Sequence, residues 1–186
     1  MFKDVSKVIE ENDNIVVKYD GYLKVIDYKG YEIVQEKDMV ICIPFLLEEK
    51  KLILRYEPIP TFQLDNRNTA LFLTSMSESV EEGETPLETL KRGLIEELGI
   101  ELGDYINPII EPPLYVSKGC SAKYHVCILP LLTTDVNYVR PTTDGSEHEK
   151  EAKNVKVDMY SLDQLKINDT ITQFALNLFK NRYMLL

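Results

Sequence analysis

The run Gly83-Glu84-Thr85-Pro86-Leu87-Glu88-Thr89-Leu90-Lys91-Arg92-Gly93-Leu94-Ile95-Glu96-Glu97-Leu98-Gly99-Ile100 constrains this chain more than any other. Thr85 can cap a helix, and Pro86 suits the first turn, where its missing N–H would be unpaired anyway. Glu88 completes a Thr-x-x-Glu capping box, and Gly99 is the natural stop. Leu87, Leu90, Leu94 and Leu98 recur at steps of three and four, so the spacing predicts a short amphipathic helix that buries one stripe. Glu96 and Glu97 turn elsewhere.

The stretch 78–100 resembles the Nudix signature, written G-x5-E-x7-R-E-U-x-E-E-x-G-U with U a bulky aliphatic residue. Glu84, Arg92, Leu94, Glu96, Glu97, Gly99 and Ile100 match seven of its nine constrained positions. Glu78 stands where the signature opens with Gly, and Gly93 stands where it has the Glu after the Arg. The resemblance implies that Arg92 ion-pairs with Glu84 and pins the loop over the helix, with Gly99 closing the element. A Glu-rich surface helix alone would read as a solvated face. Glu84, Arg92 and Gly99 at signature spacing favour a site instead.

On a helix, positions 93, 96 and 97 project towards a common point. In the family that point holds Mg2+ or Mn2+, hard cations that take several oxygen ligands. Glu96 and Glu97 are the expected ligands here, with the backbone carbonyl of Ser77 implied by the resemblance. Gly93 contributes none, and it lowers helix stability by roughly 0.5–1 kcal/mol relative to Ala. Glu78 is a candidate substitute ligand.

The 186 residues suit one ordinary domain with a small appendage, and the net charge of −10 argues against nucleic acid or an anionic membrane as partner. A phosphorylated substrate stays open, because a bound cation can invert the local field. No apolar run reaches transmembrane length and residues 1–4 open no signal peptide, so the expected setting is cytoplasmic. Cys42, Cys120 and Cys127 form no CxxC pair and are expected as free, mostly buried thiols.

In chain order, 5–12 is either a short helix or a lead-in. Ile15 to Tyr19, an Asp20-Gly21 turn, Leu23 to Tyr28 and Tyr31 to Gln35 read as antiparallel strands. This unit, 1–36, resembles the N-terminal β subdomain of ADP-ribose pyrophosphatase-type Nudix enzymes, which implies a homodimer. Residues 37–186 would form the Nudix domain. Met39 to Phe45 is apolar on both faces and reads as a central strand. Leu52 to Tyr56 follows, then a loop over 59–70, then a strand from Leu71 to Thr74. Strands are also expected at 105–110, 114–116, 124–132 and 155–160. His125 reads as packed within its strand. Thr170 and Gln173 would cap a last helix burying Ile171, Phe174, Ala175, Leu178 and Phe179.

Two shorter stretches are similar to segments of the same subgroup, which implies substrate contacts at Arg55 (in Arg55-Tyr56-Glu57-Pro58) and Ser117 (in Tyr115 to Ser121). The polar segment 134–153 corresponds to a loop that in those enzymes carries a Glu handling the attacking water. Glu147, Glu149 and Glu151 are its candidate counterparts.

The expectation is an α/β (α+β) Nudix fold, a mixed sheet sandwiched between helices with a small antiparallel β subdomain. The implied activity is metal-dependent hydrolysis of a nucleoside diphosphate linked to another moiety, with ADP-ribose or a nucleotide sugar as the small substrate. The competing expectation, resting on Gly93, is a catalytically silent Nudix domain that binds a nucleotide or serves as a regulatory or structural module.

Overall fold

A computed structural model describes residues 15–20, 24–59, 71–104, 106–115, 117–142 and 151–184, with side chains from 24 onward. The lead-in at 5–12, Gly21 of the expected turn, 60–70, Tyr105, Val116, Glu147 and Glu149 lie outside them.

The first three strands, β1 (Ile15–Asp20), β2 (Lys24–Tyr28) and β3 (Tyr31–Gln35), form a separate antiparallel sheet in that order. Its β3 is stitched to a later turn by Val34 N–H to Gly119 O at 2.8 Å and Ser121 N–H to Val34 O at 3.0 Å.

The main sheet is built on β4 (Met39–Leu46), which pairs in parallel with β10 (Lys123–Leu131). Every residue of β4 after Met39 is buried, as its unbroken apolar run requires. Alternation sends Ile41, Ile43 and Phe45 to one face and Val40, Cys42 and Leu46 to the other. The first face packs on α2 (Thr170–Tyr183), where Phe45 meets Phe179 edge-on at 4.8 Å. The second packs on α1 (Pro86–Leu98) through Leu90, Leu94 and Leu98. The mixed sheet between helices is therefore present, completed by β5 (Lys51–Pro58), β9 (Leu114–Tyr115) and β12 (Lys153–Asp158).

The sheet is split where it meets α1. β5 pairs with β4 only at Leu52 and Lys51 and then diverges. The gap is filled by one run broken at Ser75: β6 (Leu71–Thr74) pairs with β5 and β7 (Met76–Ser79) pairs with β4. Ser75 N–H donates to Thr172 Oγ1 at 2.9 Å, and the two hydroxyls lie 3.0 Å apart. The kink in the sheet is thus tied to α2.

Several expectations need correction. Beyond the expected strand at Leu71–Thr74 the chain forms a further one, because β4 supplies a ladder for Met76–Ser79. Residues 106–109 form no strand, and Ile110 makes only an isolated bridge to Cys127. The strand expected at 155–160 is β12, which ends at Asp158 before a 3-10 turn, Met159–Gln164. Asp169, not Thr170, caps α2 by accepting from Thr172 N–H at 2.6 Å. That helix buries Thr172, Ala175, Leu176 and Phe179, while Phe174 is 40% exposed. The two short strands β8 (Ile100–Leu102) and β11 (Val136–Tyr138) pair with each other and were not expected. Cys42 and Cys127 are buried free thiols opposite one another in β4 and β10, and burial pushes the Cys42 thiol well up.

Candidate functional site

The signature folds as its capping chemistry dictates. Thr85 Oγ1 accepts from Glu88 N–H at 3.3 Å, and Glu88 accepts from Thr85 N–H at 2.7 Å. At the other end Gly99 takes φ +64°, a left-handed conformation that costs a side-chain-bearing residue about 1–2 kcal/mol.

Arg92 is the hub. Its Nε and Nη2 each donate to Glu84 at 2.9 Å in a bidentate fork, and Nη2 also reaches Ser79 O at 2.9 Å. Glu84 further accepts from Thr89 Oγ1 at 2.8 Å and Glu81 N–H at 3.1 Å. The Arg92 fork and the Thr89 hydroxyl hold the Glu84 carboxyl down to about 2, and the same carboxylates raise Arg92 further. The pinned loop expected at Arg92 and Glu84 is present.

Arg92 Nη1 gathers the next two carboxylates, Glu96 Oε2 at 3.0 Å and Glu78 Oε1 at 3.1 Å. Glu78 is fixed from its own strand by Ser79 N–H at 3.0 Å. Glu97 departs to the interior, because consecutive helix residues point about 100° apart. It is 9% exposed, and its Oε2 stands 3.9 Å from Arg55 Nε.

Arg55 is itself buried, at 4% exposure. Its Nη1 donates to the backbone carbonyl of Glu97 at 2.7 Å, joined there by Asn154 Nδ2 at 3.0 Å. Cationic and amide donors thereby satisfy an end carbonyl of α1. The structure puts Arg55 beneath the helix, whereas the subgroup resemblance had it against substrate. Glu57 lies 3.3 Å from Arg55 Nε and accepts from Thr74 Oγ1 at 2.8 Å. Burial nonetheless raises its pKa.

Ser77 faces away from α1. It lines a hollow of about 230 Å3 on the α2 side with Glu57, Tyr124 and Asp169, none of which the sequence singled out. Ser117 lies in the exposed turn beside β3, bonded to Gly119 N–H at 3.1 Å, in a hollow with Ile33, Tyr115 and Cys120. Glu151 is exposed just before β12, and the positions of Glu147 and Glu149 are outside the described residues.

Among the described residues no three His, Cys, Asp or Glu side chains stand together as a finished metal cage. The donor chemistry still fits a hard divalent cation: Glu78 and Glu96 converge on one positive nitrogen, and Glu97 follows on the same helix. As they stand, all three carboxylates are turned towards arginines.

Gly93 explains the tightness of this corner. A Cβ built on it would lie 2.9 Å from Met76 Cε, 3.0 Å from Glu78 Cβ and 3.2 Å from Glu78 Cγ. Glycine lets α1 lie directly against β7.

No family model matches the sequence, and no curated protein matches it. Among solved structures an "ADP compounds hydrolase" is similar, with a TM-score of 0.66 over 96% of this chain and 91% of that one, at 16% identity. At that identity the likeness is one of fold, and the architecture it supports is the mixed-sheet, Nudix-like α+β fold with its small antiparallel β unit.

Proposed function

We propose that this chain is a Nudix-type, divalent-metal-dependent hydrolase of a nucleoside diphosphate linked to another moiety, with ADP-ribose or a nucleotide sugar as the substrate class. The observation that carries the reading is Arg92. One guanidinium locks the Glu84 loop and holds Glu78 and Glu96 at a single nitrogen, an arrangement that packing alone does not require. The solved ADP compounds hydrolase of the same fold supports an ADP-linked substrate by analogy.

Glu96, Glu97 and Glu78 would hold Mg2+ or Mn2+. When bound, such a cation neutralises charge developing on the diphosphate and activates water. Arg92 orients the carboxylates, and Arg55 fixes the C-terminal turn of α1 that carries Glu97. Glu147, Glu149 and Glu151 are the candidates for handling the attacking water.

The second reading is a nucleotide-binding module without turnover. It is favoured by one observation, that the carboxylates are engaged with arginines while Gly93 adds none. Magnesium-dependent release of AMP from ADP-ribose, across a panel of nucleotide sugars and with Glu97→Gln as control, separates the two. Release that disappears in Glu97→Gln supports the hydrolase. Nucleotide binding without release across the panel supports the module and overturns the enzyme.

A further inference from the structure

We propose that the hollow on the α2 face of the sheet is the seat of the substrate's base, an amino-bearing planar ring held at its edge by Asp169 and Glu57. This inference rests on the nucleotide reading above and adds where, and through which chemical group, the nucleoside end is recognised.

The hollow is a product of the split sheet. β5 leaves β4 after Leu52 and Lys51, and the run that fills the gap breaks at Ser75, so a recess of about 230 Å3 remains beside the first turn of α2. Its walls are apolar. Met39 and Ile41 are alternate residues of β4, Tyr124 lies beside Met39 in the β4–β10 ladder, and Ile171 comes from α2. A cavity of about 150 Å3 is enough for benzene, so this recess suits a ring system and not a whole nucleotide.

The polar groups converge on the same space. Glu57 from β5 and Asp169 from the cap of α2 both line it, and among the described residues no Lys, Arg or His does. Asp169 accepts from Thr172 N–H through Oδ2, and Glu57 accepts from Thr74 Oγ1 through Oε1, so each carboxyl keeps acceptor capacity on its second oxygen. Burial, and after it the charge of Asp169, raises the Glu57 carboxyl, as expected of two acids facing one recess. Such a recess repels phosphate and is complementary to N–H donors, while its walls take the faces of a ring. Ser77 lines the recess and the next residue, Glu78, turns to Arg92, so the two faces of β7 serve the two ends of one substrate. Glu57 also stands 3.3 Å from Arg55 Nε, whose Nη1 holds Glu97 O, which joins the recess to the end of α1 through one buried side chain.

The test is calorimetric titration with AMP and with its analogue carrying hydrogen in place of the amino group, alongside KM and kcat for ADP-ribose. The parent should bind AMP about tenfold or more tightly than the analogue, the worth of a hydrogen bond to a charged acceptor. Asp169→Asn keeps the helix cap, because asparagine caps as well as aspartate, and Glu57→Gln keeps the volume. Each should narrow the ratio between AMP and analogue and raise KM more than it lowers kcat. Ser77→Leu, which fills the recess, should remove binding of both ligands. Equal affinity of the parent for AMP and analogue, or parent-like KM in all three variants, overturns the base seat, and the hydrolase reading stands if magnesium-dependent AMP release persists. A parent that neither binds nucleotide nor releases AMP overturns both.

Discussion

Replacing Thr172 by Val tests whether α2 holds the split in the sheet. Ser75 interrupts a run whose two halves pair with different strands, so its N–H belongs to neither ladder and finds Thr172 Oγ1 at 2.9 Å. Both residues are buried, at 2% and 0% exposure, so no solvent is at hand to replace that acceptor. Valine keeps the shape of threonine and opens no cavity. The loss is therefore that of a buried donor left without its partner, about 1–3 kcal/mol. In a domain of this length that lowers the melting temperature by roughly 2–12 °C. Ser75→Ala removes only a hydroxyl and keeps the N–H bond, so about 0.5–1.5 kcal/mol is expected. The two share the hydroxyl contact at 3.0 Å, and the double variant should cost less than the sum. Urea unfolding with an unchanged slope, checked by exchange of the Ser75 amide, measures each value. A Thr172→Val protein within about 0.5 kcal/mol of the parent would refute the reasoning, because a buried N–H without an acceptor cannot be that cheap.

Two further outcomes follow from the ends of the signature. Gly99→Ala should destabilise at least twice as much as Gly83→Ala: both have positive φ, +64° and +86°, but a Cβ on Gly99 would stand 2.4 Å from Val139 O, while none of the described atoms lies within 4 Å of one on Gly83. The second substitution costs only the left-handed penalty, about 1–2 kcal/mol, and equal losses in thermal unfolding would refute the packing account. Glu84→Gln tests the depressed carboxyl. Its folded pKa of about 2 lies below the ordinary 4.5, so its stabilisation is present above 4.5 and is lost as the pH falls towards 2. Melting curves of parent and variant should be apart at neutral pH and converge through that window, and a constant gap down to pH 2 would sink the assignment.

The parts of this fold legible in the sequence are those whose signals are local. Thr85, Glu88 and Gly99 set the limits of α1 by capping chemistry alone, and β4 announces itself by being apolar at every position. The Arg92–Glu84 link was legible from the resemblance of spacing, eight residues apart in chain and joined in space. What was not legible depends on distant partners. Met76–Ser79 is a polar run with weak strand character, and it becomes a strand because β4 offers unpaired backbone groups where β5 has turned away. The α2 face was read correctly at Ile171, Ala175, Leu178 and Phe179 but misread at Phe174, for a related reason. Thr172 is drawn inward by Ser75, which turns the buried stripe by about one residue and leaves Phe174 outside, and a hydrophobic pattern cannot register a buried threonine. Arg55 sits within an apolar strand sequence that contains no sign of the helix carbonyl it will meet.

The two arginines stand among an excess of carboxylates, which bears on the proposed reading. Arg92 faces Glu78, Glu84 and Glu96, one positive charge against three negative, and Arg55 faces Glu57 and Glu97, one against two. Negative charge is in excess at both even before solvent is considered. A bare diphosphate approaching this face would be repelled, and an additional cation would be drawn in without either arginine having to leave. The exposures divide the labour further. Glu78 and Glu96 are within reach of solvent at 19% and 36% of their side-chain surface, whereas Glu97 is at 9% with its carbonyl already tied to Arg55 and Asn154. Reorienting Glu78 and Glu96 gives up ion pairs that keep some contact with solvent, while moving Glu97 would disturb the buried end of α1. On the proposed reading, then, Glu78, Glu96 and Glu97 would hold the cation, the first two through side chains free to turn and the third through one that the end of α1 keeps in place.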